Sequence, residues 1–274
     1  DFVLVNWDQR GAGRTFGKNA PEKINEEYWT ENKLTLDQMV SDGIEVAEFL
    51  RKYLKKEKIV IIGTSWGSIL GIKMAFNRPD LFHAYIGNSQ FVGFTENAQF
   101  AHFRTLKLAK ESKDVAAIEA LETLGAPPYE DARSWGRMLR TVKKYEEKNA
   151  GSVPQVWWRV HPDYDNETDE KNRFNGDDYS FLHFVGHKKL GVESMALNVD
   201  FSDDHTEFEI PIFFVQGGED ILTPKEISKP YFDKISAPYK NYFFLPKAGH
   251  GQNQDVVRTQ YEILKKDLIS NRLR

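Results

Sequence analysis

A serine hydroxyl becomes a nucleophile only when a base takes its proton, and a histidine base works best when a carboxylate fixes its tautomer. This chain carries the three types in glycine-punctuated contexts: Ser65 in Gly63-Thr64-Ser65-Trp66-Gly67, Asp220 after Gly217-Gly218-Glu219, and His250 after Ala248-Gly249. The first fits G-x-S-x-G, the sharp turn that lifts a serine above a sheet at a strand-to-helix junction. Such a turn leaves no room for side chains two residues either side of the nucleophile. It also sets Ser65 near a helix N-terminus, where free backbone N–H groups and the helix dipole favour a developing oxyanion. Glu219 is the alternative acid, although a shorter carboxylate after the double glycine suits the turn better.

These residues need elements to position them. Ile59, Val60, Ile61 and Ile62 form the continuous apolar run of a strand buried on both faces, ending at Gly63. After Gly67, Ile69, Ile72 and Phe76 continue a helix until Asn77-Arg78-Pro79-Asp80 stops it. Upstream, Thr35 with Gln38 makes a capping-box signature, and Leu36, Val40, Gly43, Ala47, Leu50 and Leu54 give one apolar helical face. Residues 2–7, 84–86, 212–215 and 242–245 read as further strands. Between them, 8–15 reads as a structural turn and 18–33 as an irregular polar segment. A last helix carries Val257, Tyr261, Leu264 and Leu268 on one face. Strand alternating with helix predicts a parallel sheet covered by helices, with functional loops at the carboxyl ends of its strands. Ser65, Asp220 and His250 fall at three such ends.

From residue 93 to residue 209 the pattern changes to amphipathic helices and aromatic clusters. Helices are expected over 103–110, 115–124 and 133–148. Aromatics gather at Val156-Trp157-Trp158 and over 179–185, with a polar linker at 163–178 between them. The predicted organisation is therefore a core of residues 1–92 and 210–274, interrupted by a helical lid at 93–209.

Composition excludes several classes. The 274 residues are 40% hydrophobic and 28% charged, which describes a globular chain with a sizeable core. A net charge of −4 gives no basic field for nucleic acid or an anionic membrane. No apolar run approaches the ~20 residues of a membrane span, and no signal-peptide pattern is visible. There is no cysteine, hence no disulfide, cysteine nucleophile or thiolate metal site. His183 and His187 share a helical spacing but lack the glutamate of H-E-x-x-H, so no metal site is expected.

The segments Asp8-Gln9-Arg10-Gly11-Ala12-Gly13-Arg14 and Gly63-Thr64-Ser65-Trp66-Gly67-Ser68 resemble the proline iminopeptidase branch of the α/β-hydrolases. So do Gly218-Glu219-Asp220 with Thr223-Pro224, and Ala248-Gly249-His250. The order Ser, Asp, His is the one that fold uses. The resemblance implies an α/β-hydrolase fold, Ser65 as nucleophile, His250 as general acid/base, Asp220 as its orienter and the N–H of Trp66 as an oxyanion donor. It further implies release of an N-terminal residue, often proline, from a short peptide without metal or other cofactor, lid carboxylates receiving the substrate amine. Glu96 and Glu193 are the candidates for that carboxylate, and Trp157 and Trp158, with Phe181 and Phe184, for a pocket wall. Thr64 stands where the family has a second glycine. A His-Gly-Gly-Pro-Gly-type loop, with the strands around it, is expected to precede residue 1. The alternative activity is a carboxylesterase using the same three residues, and a different class is a non-catalytic ligand-binding hydrolase fold. Either enzyme would take a small peptide or ester, with no nucleic-acid or membrane partner.

Overall fold

The β-branched run before Ser65 does form a strand, and it organises a parallel sheet in the computed structural model, which describes residues 2–270. The strands are β1 (Ile59–Thr64), β2 (Phe82–Asn88), β3 (Ile212–Gly217) and β4 (Lys240–Leu245), hydrogen-bonded in the order β1-β2-β3-β4. Each neighbour pair is parallel, with Gly63 opposite Gly87, Ile86 opposite Phe213, and Phe214 opposite Tyr242. Alternate side chains leave opposite faces. Tyr85, Ile212 and Phe214 therefore join one core, while Ala84, Ile86, Phe213 and Val215 join another.

The first core lies under α3 (Leu36–Leu54) and α4 (Trp66–Asn77). Met39, Val40 and Ala47 of α3 meet Ile69, Leu70 and Ile72 of α4 there. The Thr35 hydroxyl accepts the Gln38 N–H at the start of α3, as its capping signature predicts. The second core is closed by α10 (Gln254–Glu262) and the π-helical stretch Ile263–Ser270. Its buried residues are Val256 and Ile263, whereas Val257 and Tyr261 are about two-fifths exposed. Of the predicted apolar face Leu264 packs against this core, Val257 and Tyr261 give way to Val256 and Ile263, and the Leu268 side chain lies outside the described residues.

Between β2 and β3 the chain makes a helical excursion: α5 (Phe94–Glu111), α6 (Val115–Leu124), α7 (Ala132–Asn149) and α8 (Glu167–Val185). Its neck is pinned where Gly93 bridges Asp200, with Phe94 N–H donating to Val199 and Phe201 N–H donating to Val92. The segment 163–178, expected as a linker, is instead a short 3₁₀ turn followed by most of α8. Its polar residues start that helix: the Asn166 side chain caps it by accepting the Asp169 N–H, and the acidic Glu167, Asp169 and Glu170 sit in the positive first turn.

The N-terminal part departs most from expectation. Residues 2–9 have no regular secondary structure, and Val3 and Leu4 are 74% and 76% exposed. An apolar run is a strand only if a neighbour takes its backbone groups, and among the described residues none does. The glycine turn and the polar stretch after it are more ordered than predicted, forming α1 (Gly13–Asn19) and α2 (Glu26–Glu31). Two bidentate ion pairs anchor this region. Arg10 grips Asp42 of α3 at 2.7 and 2.9 Å, and Arg14 grips Asp169 of α8 at 2.7 and 2.6 Å.

Candidate active site

Three chain turns converge at the carboxyl end of the sheet. Ser65 leaves β1 and opens α4 with φ 54° and ψ −122°, a backbone that costs a residue bearing a Cβ of order 1–3 kcal/mol. Gly63 permits the bend, because a Cβ there would lie 2.4 Å from the Gly67 carbonyl oxygen. The turn is then held from below. Ser68 Oγ donates to the Ser65 carbonyl at 2.6 Å and accepts the Phe91 N–H at 3.0 Å. Buried Tyr85 donates to the Ser68 carbonyl at 3.1 Å.

Asp220 sits in the loop after β3 and is almost fully buried. Thr223 satisfies it twice, N–H to Oδ1 at 2.8 Å and hydroxyl to Oδ2 at 2.6 Å. His250 follows β4, and its loop is tied to the ends of two other strands. Gly251 N–H donates to Ser89 Oγ, Asn88 Nδ2 donates to the Gly251 carbonyl, and Gln252 Nε2 donates to Thr64 Oγ1. Thr64, the departure from the family's second glycine, therefore fastens the histidine loop.

The result is a continuous chain of hydrogen bonds. His250 Nδ1 lies 3.1 and 3.2 Å from the two Asp220 carboxylate oxygens, and Nε2 lies 2.8 Å from Ser65 Oγ. An ionised carboxylate only accepts, so Nδ1 carries the proton and Nε2 presents its lone pair to the serine hydroxyl. Burial alone would lower the histidine pKa, but the Asp220 charge and hydrogen bond outweigh it and hold it above the ordinary value. Burial would likewise raise Asp220, and the adjacent imidazolium more than offsets that, keeping the carboxyl below its ordinary range. Trp66 is the first residue of α4, so its N–H is among the first-turn amides that no carbonyl four residues back can take. Its indole N–H donates to Gln9 Oε1 at 3.2 Å, and its ring meets Phe184 of α8 edge-on at 5.1 Å.

The other predicted residues are not gathered here. Glu96 and Glu193 are exposed, and neither has a described contact with Ser65, Asp220 or His250. Trp157 and Trp158 lie on a 3₁₀ turn, 42% and 72% exposed. His183 is buried with its ring nitrogens 3.0 and 3.1 Å from the Tyr179 and Trp29 carbonyl oxygens, away from His187. Among the described residues no cluster of three or more His, Asp or Glu could hold a metal ion, and no helix is long and apolar enough to cross a membrane.

One residue at the site was missed. Glu146 of α7 is 8% exposed, and its Oε1 accepts the N–H groups of Ile221 and Leu222, immediately after Asp220, at 2.5 and 3.3 Å. Burial and the nearby Asp220 charge push its carboxyl up to about 7. A signal existed: Trp135, Met138, Val142 and Tyr145 form the buried stripe of α7, and Glu146, four residues after Val142, continues it.

This fold and hydrogen-bonded chain define a serine hydrolase of the α/β-hydrolase class. Residues 1–255 match the family described as Serine aminopeptidase, S33, and the chain belongs to that family. The probable aminopeptidase YbaC of Bacillus subtilis (strain 168) is 26% identical over 261 residues, an alignment covering 91% of this chain and 74% of that protein. Among solved structures, VinJ superposes with a TM-score of 0.59 at 16% identity, covering 96% of this chain and 79% of VinJ. An esterase from Exiguobacterium antarcticum gives 0.52 at 14% identity, covering 96% of this chain and 80% of that one. At these identities the structural likeness concerns the fold alone.

Proposed function

We propose that the chain is a serine aminopeptidase that releases the N-terminal residue of short peptides, in the manner of a proline iminopeptidase. In this reading Ser65 Oγ attacks the carbonyl of the first residue while His250 Nε2 takes its proton. Asp220 holds the imidazole in the required tautomer and stabilises its charged form. The Trp66 N–H donates to the oxyanion at the head of α4. His250 then protonates the departing amine, and water, activated by the same imidazole, frees the acyl-enzyme.

The observation that carries a peptidase over an esterase is Glu146. Asp220 is matched by His250, but Glu146 has no cationic side chain bonded to it among the described residues. With its carboxyl pushed up to about 7, Glu146 would ionise fully near neutral pH only if a cation joined it. A substrate ammonium is the group that would supply that charge, and an ester has none. The family assignment and the probable aminopeptidase among its relatives support the same reading.

The test is a panel of proline and alanine arylamides beside short acyl esters, with Ser65→Ala as control. Cleavage of the free-amine arylamides, absent from their N-acetylated forms, is expected. Ester cleavage without arylamide cleavage would sink the aminopeptidase reading, and activity surviving Ser65→Ala would sink the assignment of the nucleophile.

A further inference from the structure

We propose that Glu146 is also a positioning residue: from α7 it fastens the loop that carries Asp220, and so sets the hold of Asp220 on His250. The geometry is direct. Both described bonds fall on Oε1, from the two amides that follow Asp220, and a carboxylate accepting backbone N–H groups makes the stronger, charge-assisted kind of hydrogen bond. On its other side the loop turns at Thr223, whose amide and hydroxyl both bind Asp220. Asp220 is therefore gripped internally by Thr223, while the loop as a whole is anchored to the helical excursion by Glu146.

The clamp also acts through charge. Asp220 of the acid loop and His250 of the histidine loop both act on Glu146 through their charges. The negative charge of Glu146 is one of the causes that raise His250. On α7 itself Lys143, Glu147 and Lys148 turn to solvent, and Lys144 is paired with Asp114. Arg104 of α5 and Lys225 of α9 (Lys225–Lys234) line, with Asp220 and Ile221, a small cavity on the acid loop. Helix α7 thus acts on Asp220 and His250 through the acid loop, a role that holds for any acyl group on Ser65.

The experiment uses p-nitrophenyl acetate, which has no amine, so it is independent of the aminopeptidase reading. Glu146→Ala removes the acceptor and is expected to lower kcat about 10²-fold with little change in KM, the loss that a misplacement of about 1 Å brings. Glu146→Gln keeps an acceptor oxygen and should recover most of that loss. Without the charge, its acid limb of kcat/KM should move to lower pH by about half a unit. Val142→Ala, on the same buried stripe, should lower the melting temperature and leave the pH profile in place. Wild-type kcat and an unmoved acid limb in both Glu146 variants would overturn the proposal. So would an activity loss that merely tracks the unfolded fraction, as it does in Val142→Ala.

Discussion

Replacing Asp220 by Asn tests the hydrogen-bonded chain at its most buried link. The side chain keeps its shape, so the outcome depends on where the amide nitrogen goes. At the Oδ1 position it would face the Thr223 N–H, now 2.8 Å away, setting two donors against each other in a buried place. Such a mismatch costs about 1–3 kcal/mol. At the Oδ2 position it faces the Thr223 hydroxyl, which can rotate from donor to acceptor. The second orientation therefore wins, and the amide then donates toward His250 Nδ1. The oxygen kept at the Oδ1 position still faces Nδ1 at 3.1 Å, but the amide now offers Nδ1 a donor as well and the carboxylate charge is gone. The tautomer with its proton on Nε2, which cannot take the Ser65 proton, is then no longer excluded. The expected loss is about 10⁴ in kcat, or ~5.5 kcal/mol of transition-state stabilisation, with KM nearly unchanged. Steady-state hydrolysis of p-nitrophenyl acetate, with circular dichroism and thermal unfolding as fold controls, reads this out. A folded Asp220→Asn variant keeping a tenth or more of wild-type kcat would refute the tautomer argument.

Other expectations follow from the same site. Catalysis needs neutral His250, whose pKa is held above the ordinary 6.5, so kcat/KM should fall to half above that pH as acid is added; a midpoint below it would contradict the raised value. Gly63→Ala sets a Cβ 2.4 Å from the Gly67 carbonyl oxygen, and backbone cannot give way cheaply. Destabilisation at or above the upper end of the ~1–3 kcal/mol typical of overpacking is expected in urea unfolding. Glu146 titrates at about 7 when folded, well above its ordinary 4.5, so the stability linked to its neutral form is lost as pH rises through that value. Glu146→Gln should therefore raise the melting temperature at about pH 8 and leave it unchanged near pH 4. Equal shifts at both would disprove the linkage.

The parts of this molecule legible in the sequence are those fixed by local physics. Gly63 before Ser65, the buried run of β3 and the cap at Thr35 each follow from neighbours in the chain. The apolar run of β1, expected to be buried on both faces, is only half-buried because β1 is a sheet edge, and Gly67 has open space where a Cβ would go. The order of Ser65, Asp220 and His250 at strand ends followed from the alternation of elements. Misread segments depended on partners far away. Residues 2–7 have strand composition, but pairing decides, and no described strand accepts them. Residues 163–178 looked like a linker because their polar residues cap and charge the start of α8, where Asp169 meets Arg14 from 155 positions upstream. Glu96, which follows an expected strand end, and Glu193, which lies inside the expected lid, are both exposed. Glu146 was hidden because its partners, Ile221 and Leu222, are 75 and 76 positions later.

The bond from Ser65 to His250 spans 185 positions, and β4, the strand that delivers the histidine, lies at one edge of the sheet. As the chain leaves the ribosome, nucleophile and acid are both made before the base exists. In the proposed mechanism turnover requires β4 beside β3 and its loop seated on Asn88, Ser89 and Thr64. Recovery of activity during refolding therefore reports the seating of β4 and its loop, wherever in the folding order that step falls.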